Sequence, residues 1–156
     1  MKELIDELEK TDRVSYLIDT CFFVNVFTSG KVKELVTFCK ENKVGMSSFN
    51  LEEFNHIHHN LQGHTTHHVR DFLKEKIMFN SPVNVEPGNR ESERKYVELF
   101  DDKILSVISD PSDAVLFVQA IKTQADILTK DRHHIFTAAA ENYSEEYNIK
   151  VLNEFP

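Results

Sequence analysis

Apolar positions along the chain switch between two periods. Val14 to Ile18 (VSYLI) is a short apolar run closed by Asp19, the pattern of a buried strand. Val32, Leu35, Val36 and Cys39 recur at i, i+3, i+4 and i+7, which predicts a helix over residues 31–42. Residues 43–47 (KVGMS) read as a second short strand, and residues 50–61 and 65–79 as two further helices. Pro82, Pro87 and Gly88 surround Val83 and Val85, so residues 80–92 predict loop, short strand, loop. Residues 91–108 fit one long helix or two short ones, and residues 112–123 a strongly apolar helix. Residues 126–129 (DILT) and 150–152 read as strands. Ahead of all these lies a short charged helix at 2–10, with Leu4, Ile5 and Leu8 as its apolar stripe. Strands alternating with helices predict a parallel sheet covered on both faces, an α/β three-layer sandwich.

The 156 residues suit one domain, 1–156, with residues 1–12 as a helical extension. Hydrophobic residues at 40% and charged residues at 28% are ordinary globular usage and argue against disorder. Cys21 and Cys39 have no metal-type spacing, which excludes a disulfide scaffold and favours a reducing compartment. The charged start MKELIDELEK is unlike a secretory signal, and no apolar run approaches the ~20 residues of a membrane span. A soluble, cytoplasmic protein is expected. The net charge of −8 argues against a broad basic surface for nucleic acid. It leaves room for an enzyme whose acids gather around metal ions.

In an open parallel sheet, ligands collect at the carboxyl ends of the strands. Asp19 ends the first strand, Asp131 lies just past DILT, and Glu53 and Asp113 each stand near the start of a helix. Four carboxylates converging there would repel one another unless cations sat between them, and hard oxygen donors suit Mg²⁺ or Mn²⁺. Each acid also has an ordinary structural role open to it. Asp19 is a natural N-cap, Asn50 and Glu53 are spaced as a capping box, and Asp131 can open a turn. Asp110, Pro111 and Asp113 together make a good helix start, with Asp110 as cap. Glu53 lies roughly 95° from the centre of its helix's apolar side and Glu52 roughly 165°, at ~100° per residue. Of the two, Glu53 borders the buried side.

Taken in order, these stretches resemble a known family. YLIDTCFFVNVF is similar to the opening of a PIN-domain nuclease, with Asp19 and Thr20 at its first motif. MSSFNLEEF resembles the second motif and places its glutamate at Glu53; SDAVLFVQA resembles the third, at Asp113; ADILTKDRHHIF resembles the fourth, at Asp131. The resemblance covers residues 14–152, and the length is similar to that of small VapC-type toxin ribonucleases. It implies a divalent-metal-dependent endoribonuclease acting on single-stranded RNA, with Asp19, Glu53, Asp113 and Asp131 holding Mg²⁺ or Mn²⁺. It also implies a place in a toxin–antitoxin pair and an antitoxin partner. Cations at such a site activate water and stabilise the leaving oxygen, so no side-chain nucleophile is needed. Thr129 would support a carboxylate or a water, and Arg132 and Arg70 would contact substrate phosphate.

Six of the eight histidines fall in HIHHNLQGHTTHH, between His56 and His68. A helix surface, an RNA-facing patch and a zinc site are all open readings of that density. A dehalogenase-like phosphatase would need a second aspartate where Cys21 stands, and a receiver domain would need a different order of acids. The remaining rival is a PIN fold kept as a catalytically weak interaction module. A homodimer is expected too. The helices at 31–42 and 65–79 and a chain with 12 phenylalanines suggest more apolar surface than one small core needs.

Overall fold

The computed structural model describes residues 1–135 and 137–156, with nothing said of the side chains of residues 138 and 139. A five-stranded sheet runs in the order β3-β2-β1-β4-β5, with every pairing parallel. Its strands are β1 (Tyr16–Ile18), β2 (Val44–Ser47), β3 (Phe79–Ser81), β4 (Asp126–Leu128) and β5 (Val151–Leu152). The helices described are α1 (Lys2–Asp6), α2 (Thr20–Thr28), α3 (Val32–Glu41), α4 (Ser48–Ile57), α5 (Gly63–Lys74), α6 (Arg90–Phe100), α7 (Ile104–Val107), α8 (Pro111–Thr123) and α9 (Ala138–Glu146).

Both faces of the sheet are covered, as predicted. Alternate strand residues serve opposite cores because successive side chains point to opposite faces. Ile18 and Leu128 join Phe22, Phe23, Leu35, Phe54 and Phe72 in one core, while Leu17 and Ile127 join Val97, Ile104 and Phe117 in the other. The chain leaves β1 for β2 on one side and returns from β3 to β4 on the other. The crevice at the carboxyl ends of β1 and β4 is therefore the switch point where ligands bind in such sheets.

Several element boundaries differ from expectation for local reasons. The helix expected to reach Phe79 stops at Lys74, because Lys76 turns the chain at φ 52° and Phe79 instead opens β3. The strand expected at Val83 to Val85 is displaced to that same β3. Pro82 has no N–H to give a ladder, so pairing ends at Ser81. Residues 91–108 form two helices, broken where the Asp101 side chain accepts from the Lys103 N–H at 2.9 Å. The helix expected at 2–10 spans only Lys2–Asp6. Beyond it the chain runs beside β3, with Asn80 donating to the Glu9 carbonyl at 2.9 Å and Thr11 donating to that of Asn80 at 2.9 Å. Ile5 and Leu8 are buried in the first core, so this segment closes the sheet edge rather than hanging from it.

Two helices were not anticipated. The segment Thr20–Thr28 is rich in aromatic and β-branched residues, which favour strands in isolation. Burial of Phe22, Phe23, Val26 and Phe27 on one side makes it α2. Helix α9 begins with three alanines and is capped by the Thr137 hydroxyl on the Ala140 N–H.

Most of the expected apolar surplus is buried within the chain, although Val32, Val36 and Phe79 are only half-buried against the two cores. Phe22, Phe23, Phe27, Phe38, Phe49, Phe54 and Phe72 are all buried within the one chain, as are Leu35, Cys39, Val69 and Leu73. Ile57 and Leu99 are the exposed large hydrophobics among the described residues. Among those residues, too, no helix is long and apolar enough to cross a membrane.

Candidate active site

At the end of β1, Asp19 opens α2, yet its carboxylate is held by side chains from three other positions. Thr129 at the end of β4 donates its hydroxyl to Asp19 Oδ2 at 2.7 Å. The Cys21 thiol donates to the same oxygen at 2.8 Å, and the Asn50 amide reaches Oδ1 at 3.3 Å. Burial is the main cause that pushes the Asp19 carboxyl above its ordinary pKa, although the thiol and hydroxyl act the other way. Cys21 is exposed as a residue, but its thiol turns inward against Asp19, and partial desolvation with that carboxylate beside it drives the thiol up to about 12. A thiol so placed stays protonated at neutral pH and serves as a donor rather than a nucleophile.

Helix α4 brings Glu53 to the same place. Its cap is Ser47, not the expected Asn50: the Ser47 hydroxyl accepts from the Asn50 N–H at 3.0 Å and donates to the Asn50 side-chain oxygen at 2.6 Å. This reciprocal pairing occupies the position a capping box would use and frees Glu53 from capping. Glu53 Oε2 accepts from Thr20 at 2.8 Å and from Asn50 Nδ2 at 3.1 Å. Burial first, then the Asp19 charge, raises the Glu53 carboxyl above its usual range.

Asp110 performs the capping expected of it, accepting from the Ser112 and Asp113 N–H groups at 2.9 and 3.3 Å. It is also paired with Arg90 Nη1 at 3.2 Å. Asp113, one turn into α8, points into the cleft without such support. Burial is the largest cause that pushes its carboxyl to about 8, followed by the charges of Asp19, Asp110, Asp131 and Glu53.

Asp131 does open a turn, accepting from the backbone N–H groups of His133, His134 and Ile135 at 3.2, 2.9 and 3.0 Å. Burial would raise its carboxyl, but those amides outweigh it and hold the group below its usual range. Thr129 joins the two strand ends: while donating to Asp19 it accepts from the Asp131 N–H at 3.0 Å.

Asp19, Glu53, Asp113 and Asp131 thus line one cleft of about 750 Å³, with Thr20, Cys21, His56 and Lys130 also in its walls. Among the described residues, the three potential metal donors that lie within 4.8 Å of one another belong to Asp110, Asp113 and His134, of which only Asp113 was an expected ligand. His134 went unsuspected because only its nearness in sequence to Asp131 marked it; the turn that Asp131 caps carries it to Asp113. Arg132 and Arg70 are both exposed. Lys130, close to Arg132 in the chain, is a cation that does stand in the cleft wall.

The histidine-rich stretch divides. His56 lines the cleft and pairs with Glu52 at 3.3 Å. His58 Nδ1 sits 2.7 Å from the Asn55 carbonyl, and His67 pairs with Asp71 at 3.3 Å on the surface. Among the described residues, none of these histidines joins a three-ligand group.

A divalent cation fits this donor set. The site offers hard carboxylate oxygens, and a cation would relieve the repulsion that, after burial, helps to raise Asp113. Of the fourth stretch, Phe136 lies outside the described residues.

No curated protein matches the chain. Among solved structures it is similar to VapBC2 from Rickettsia felis bound to a DNA fragment from their promoter. The TM-score is 0.57 at 13% identity, covering 88% of this chain and 96% of that one, and the likeness is one of fold. The PIN-domain family model matches residues 16–142, a span that runs from β1 into α9 and holds all four cleft carboxylates, and the chain belongs to the PIN-domain family.

Proposed function

We propose that this protein is a divalent-metal-dependent endoribonuclease that hydrolyses phosphodiester bonds in single-stranded RNA. One observation carries the reading: Asp19, Glu53, Asp113 and Asp131 line a single cleft at the switch point of the sheet, where burial and then the neighbouring charges push Asp113 to about 8. Asp19, Glu53, Asp113 and Asp131 would hold Mg²⁺ or Mn²⁺, and a bound cation supplies an activated water and charge stabilisation at the leaving oxygen. The protein's own contribution is to keep the carboxylates in place. Asn50 and Thr20 orient Glu53, Thr129 and Cys21 orient Asp19, and the turn at 133–135 orients Asp131. Lys130 stands in the cleft wall, where it serves a substrate phosphate, with exposed Arg132 close to it in the chain, and exposed Arg70 would add a phosphate contact from a second protomer.

The likeness to one chain of a VapBC2 structure supports a toxin role with an antitoxin partner, acting in the cytoplasm where RNA is met. A homodimer remains part of the reading on charge rather than apolar surface. With net charge −8, one protomer has few cations to offer an RNA backbone, and two clefts side by side share them. Light scattering at micromolar concentration tests this: a mass near the 18.1 kDa of one chain refutes the dimer.

The deciding experiment is cleavage of a single-stranded RNA by wild type and Asp19→Asn, with Mg²⁺, with EDTA, and with Mg²⁺ restored. Cleavage that requires the cation and Asp19 is expected. Undiminished cleavage in EDTA defeats the mechanism, and an inert wild type favours the interaction module.

A further inference from the structure

Outside the four cleft acids, a fifth carboxylate is placed where an ordinary surface acid would not be. Glu93 lies on α6, a mostly exposed helix, yet is only 1% exposed. Its Oε1 accepts from the Ser112 hydroxyl at 2.8 Å, across the packed α6–α8 boundary. Its Oε2 is buried with no hydrogen-bond partner among the described residues. Leaving a carboxylate oxygen buried and unpartnered is costly, and such groups call for an explanation in function or an ion.

The neighbourhood makes the cost larger. Ser112 stands between Asp110 and Asp113, so Glu93 backs directly onto the turn of α8 that delivers Asp113 to the cleft. Its charge is also felt by Glu53 on the other side. Arg90, one turn earlier on α6, is taken by Asp110. A carboxylate added behind the cleft acids destabilises the empty protein. Buried from water, it is also poorly screened, so it deepens the negative potential in the cleft.

We propose that Glu93 is a positioning residue of the cation site, which strengthens divalent-metal binding by its charge from behind Ser112 and Asp113 without lining the cleft. The inference rests on the metal-dependent reading above. Groups in the shell just outside a metal's direct ligands commonly change its affinity about 10- to 100-fold.

The charge and the anchoring can be separated. Glu93→Gln keeps the shape and an oxygen that accepts from Ser112, but removes the charge. Ser112→Ala removes the hydroxyl and keeps the charge. Mn²⁺ affinity, read by the loss of the free-ion electron paramagnetic resonance signal, should fall about tenfold in Glu93→Gln and stay within about twofold in Ser112→Ala. The melting temperature without metal should rise in Glu93→Gln, because a buried unpartnered charge is gone. A purely structural glutamate predicts the opposite pair, with lower stability and unchanged affinity. Glu93→Gln that binds Mn²⁺ like wild type, or that melts lower or fails to fold without metal, overturns the proposal for Glu93 alone. Wild type that binds no Mn²⁺ overturns the metal-dependent reading and this inference with it.

Discussion

The Thr129 hydroxyl lies 2.7 Å from Asp19 Oδ2 and so ties the end of β4 to the end of β1 across the switch point. The Thr129 hydroxyl oxygen in turn accepts from the Asp131 N–H, so one fully buried hydroxyl sets the relative position of two cleft acids. Thr129→Val preserves shape and removes both interactions. The loss should cost about 1–3 kcal/mol of stability, the usual penalty for stranding buried polar groups. RNA cleavage should fall further than stability alone explains, because Asp19 and Asp131 lose a common reference. Denaturation midpoints and single-turnover rates with saturating Mg²⁺ check it; a variant with wild-type cleavage would make Thr129 a strand residue and nothing more.

Asn50 holds the other half of the site by reaching Asp19, Thr20 and Glu53 with one amide nitrogen. Asn50→Asp replaces that donor with a negative charge between two carboxylates. Without metal it should lose several kcal/mol, of the order seen when a buried charge is left uncompensated. Divalent cation should recover more of the melting temperature in Asn50→Asp than in wild type, since the added charge binds the ion as well. An equal shift in both proteins would mean that Asn50 does not face the cation.

The pH dependence follows from Asp113. Its carboxyl ionises near 8 in the fold and near 4 in an unfolded chain, so between those values the folded state keeps a proton that the unfolded state has lost. Its contribution to stability is therefore full below about pH 4 and is lost as pH rises toward about 8. Asp113→Asn should flatten that part of the metal-free stability curve. Mg²⁺ competes with the same proton, so its affinity should climb over that range, with proton release detectable by calorimetry in two buffers of different ionisation enthalpy. Metal affinity that ignores pH between 6 and 8 contradicts this.

What could be read from the chain depended on how local each feature was. The period of Val32, Leu35, Val36 and Cys39 needs only neighbours, and α3 came out where expected. So did β1, β2 and β4, each a short apolar run between polar ends. Helix α2 was hidden because Phe22, Phe23 and Val24 favour a strand until a core exists to receive them. Asp19, Glu53, Asp113 and Asp131 were visible through a four-motif order. Asn50 was visible only as a cap, since its bridging role depends on β1 and α4 meeting in space. Glu93 stands among Arg90, Glu91, Arg94 and Lys95, and nothing within α6 marks it as the one that packs against Ser112.

The segment before β1 should matter more than its charged composition suggests. Ile5 and Leu8 are buried to 3% exposure each against the first core. Asn80 of edge strand β3 donates to Glu9 and accepts from Thr11, which satisfies backbone groups an open edge would leave free. Lys2 pairs with Glu52 at 2.6 Å, beside Glu53 on α4, and Lys76 pairs with Glu7 at 2.9 Å. Both ion pairs are largely exposed and contribute little on their own. The two buried side chains contribute about 1.5–3 kcal/mol each. Deleting residues 2–10 should therefore lower the unfolding free energy by roughly 3–6 kcal/mol. It should also uncover β3 as a template for pairing with other chains, so soluble aggregates are expected at concentrations where the intact protein has none. Ile5→Ser together with Leu8→Ser separates the two effects: it removes the packing but keeps the backbone beside Asn80, so it should lose most of the stability and aggregate less than the deletion. Urea midpoints and size-exclusion profiles decide it. A deletion as stable and monodisperse as the intact chain would show that the sheet edge needs no cover.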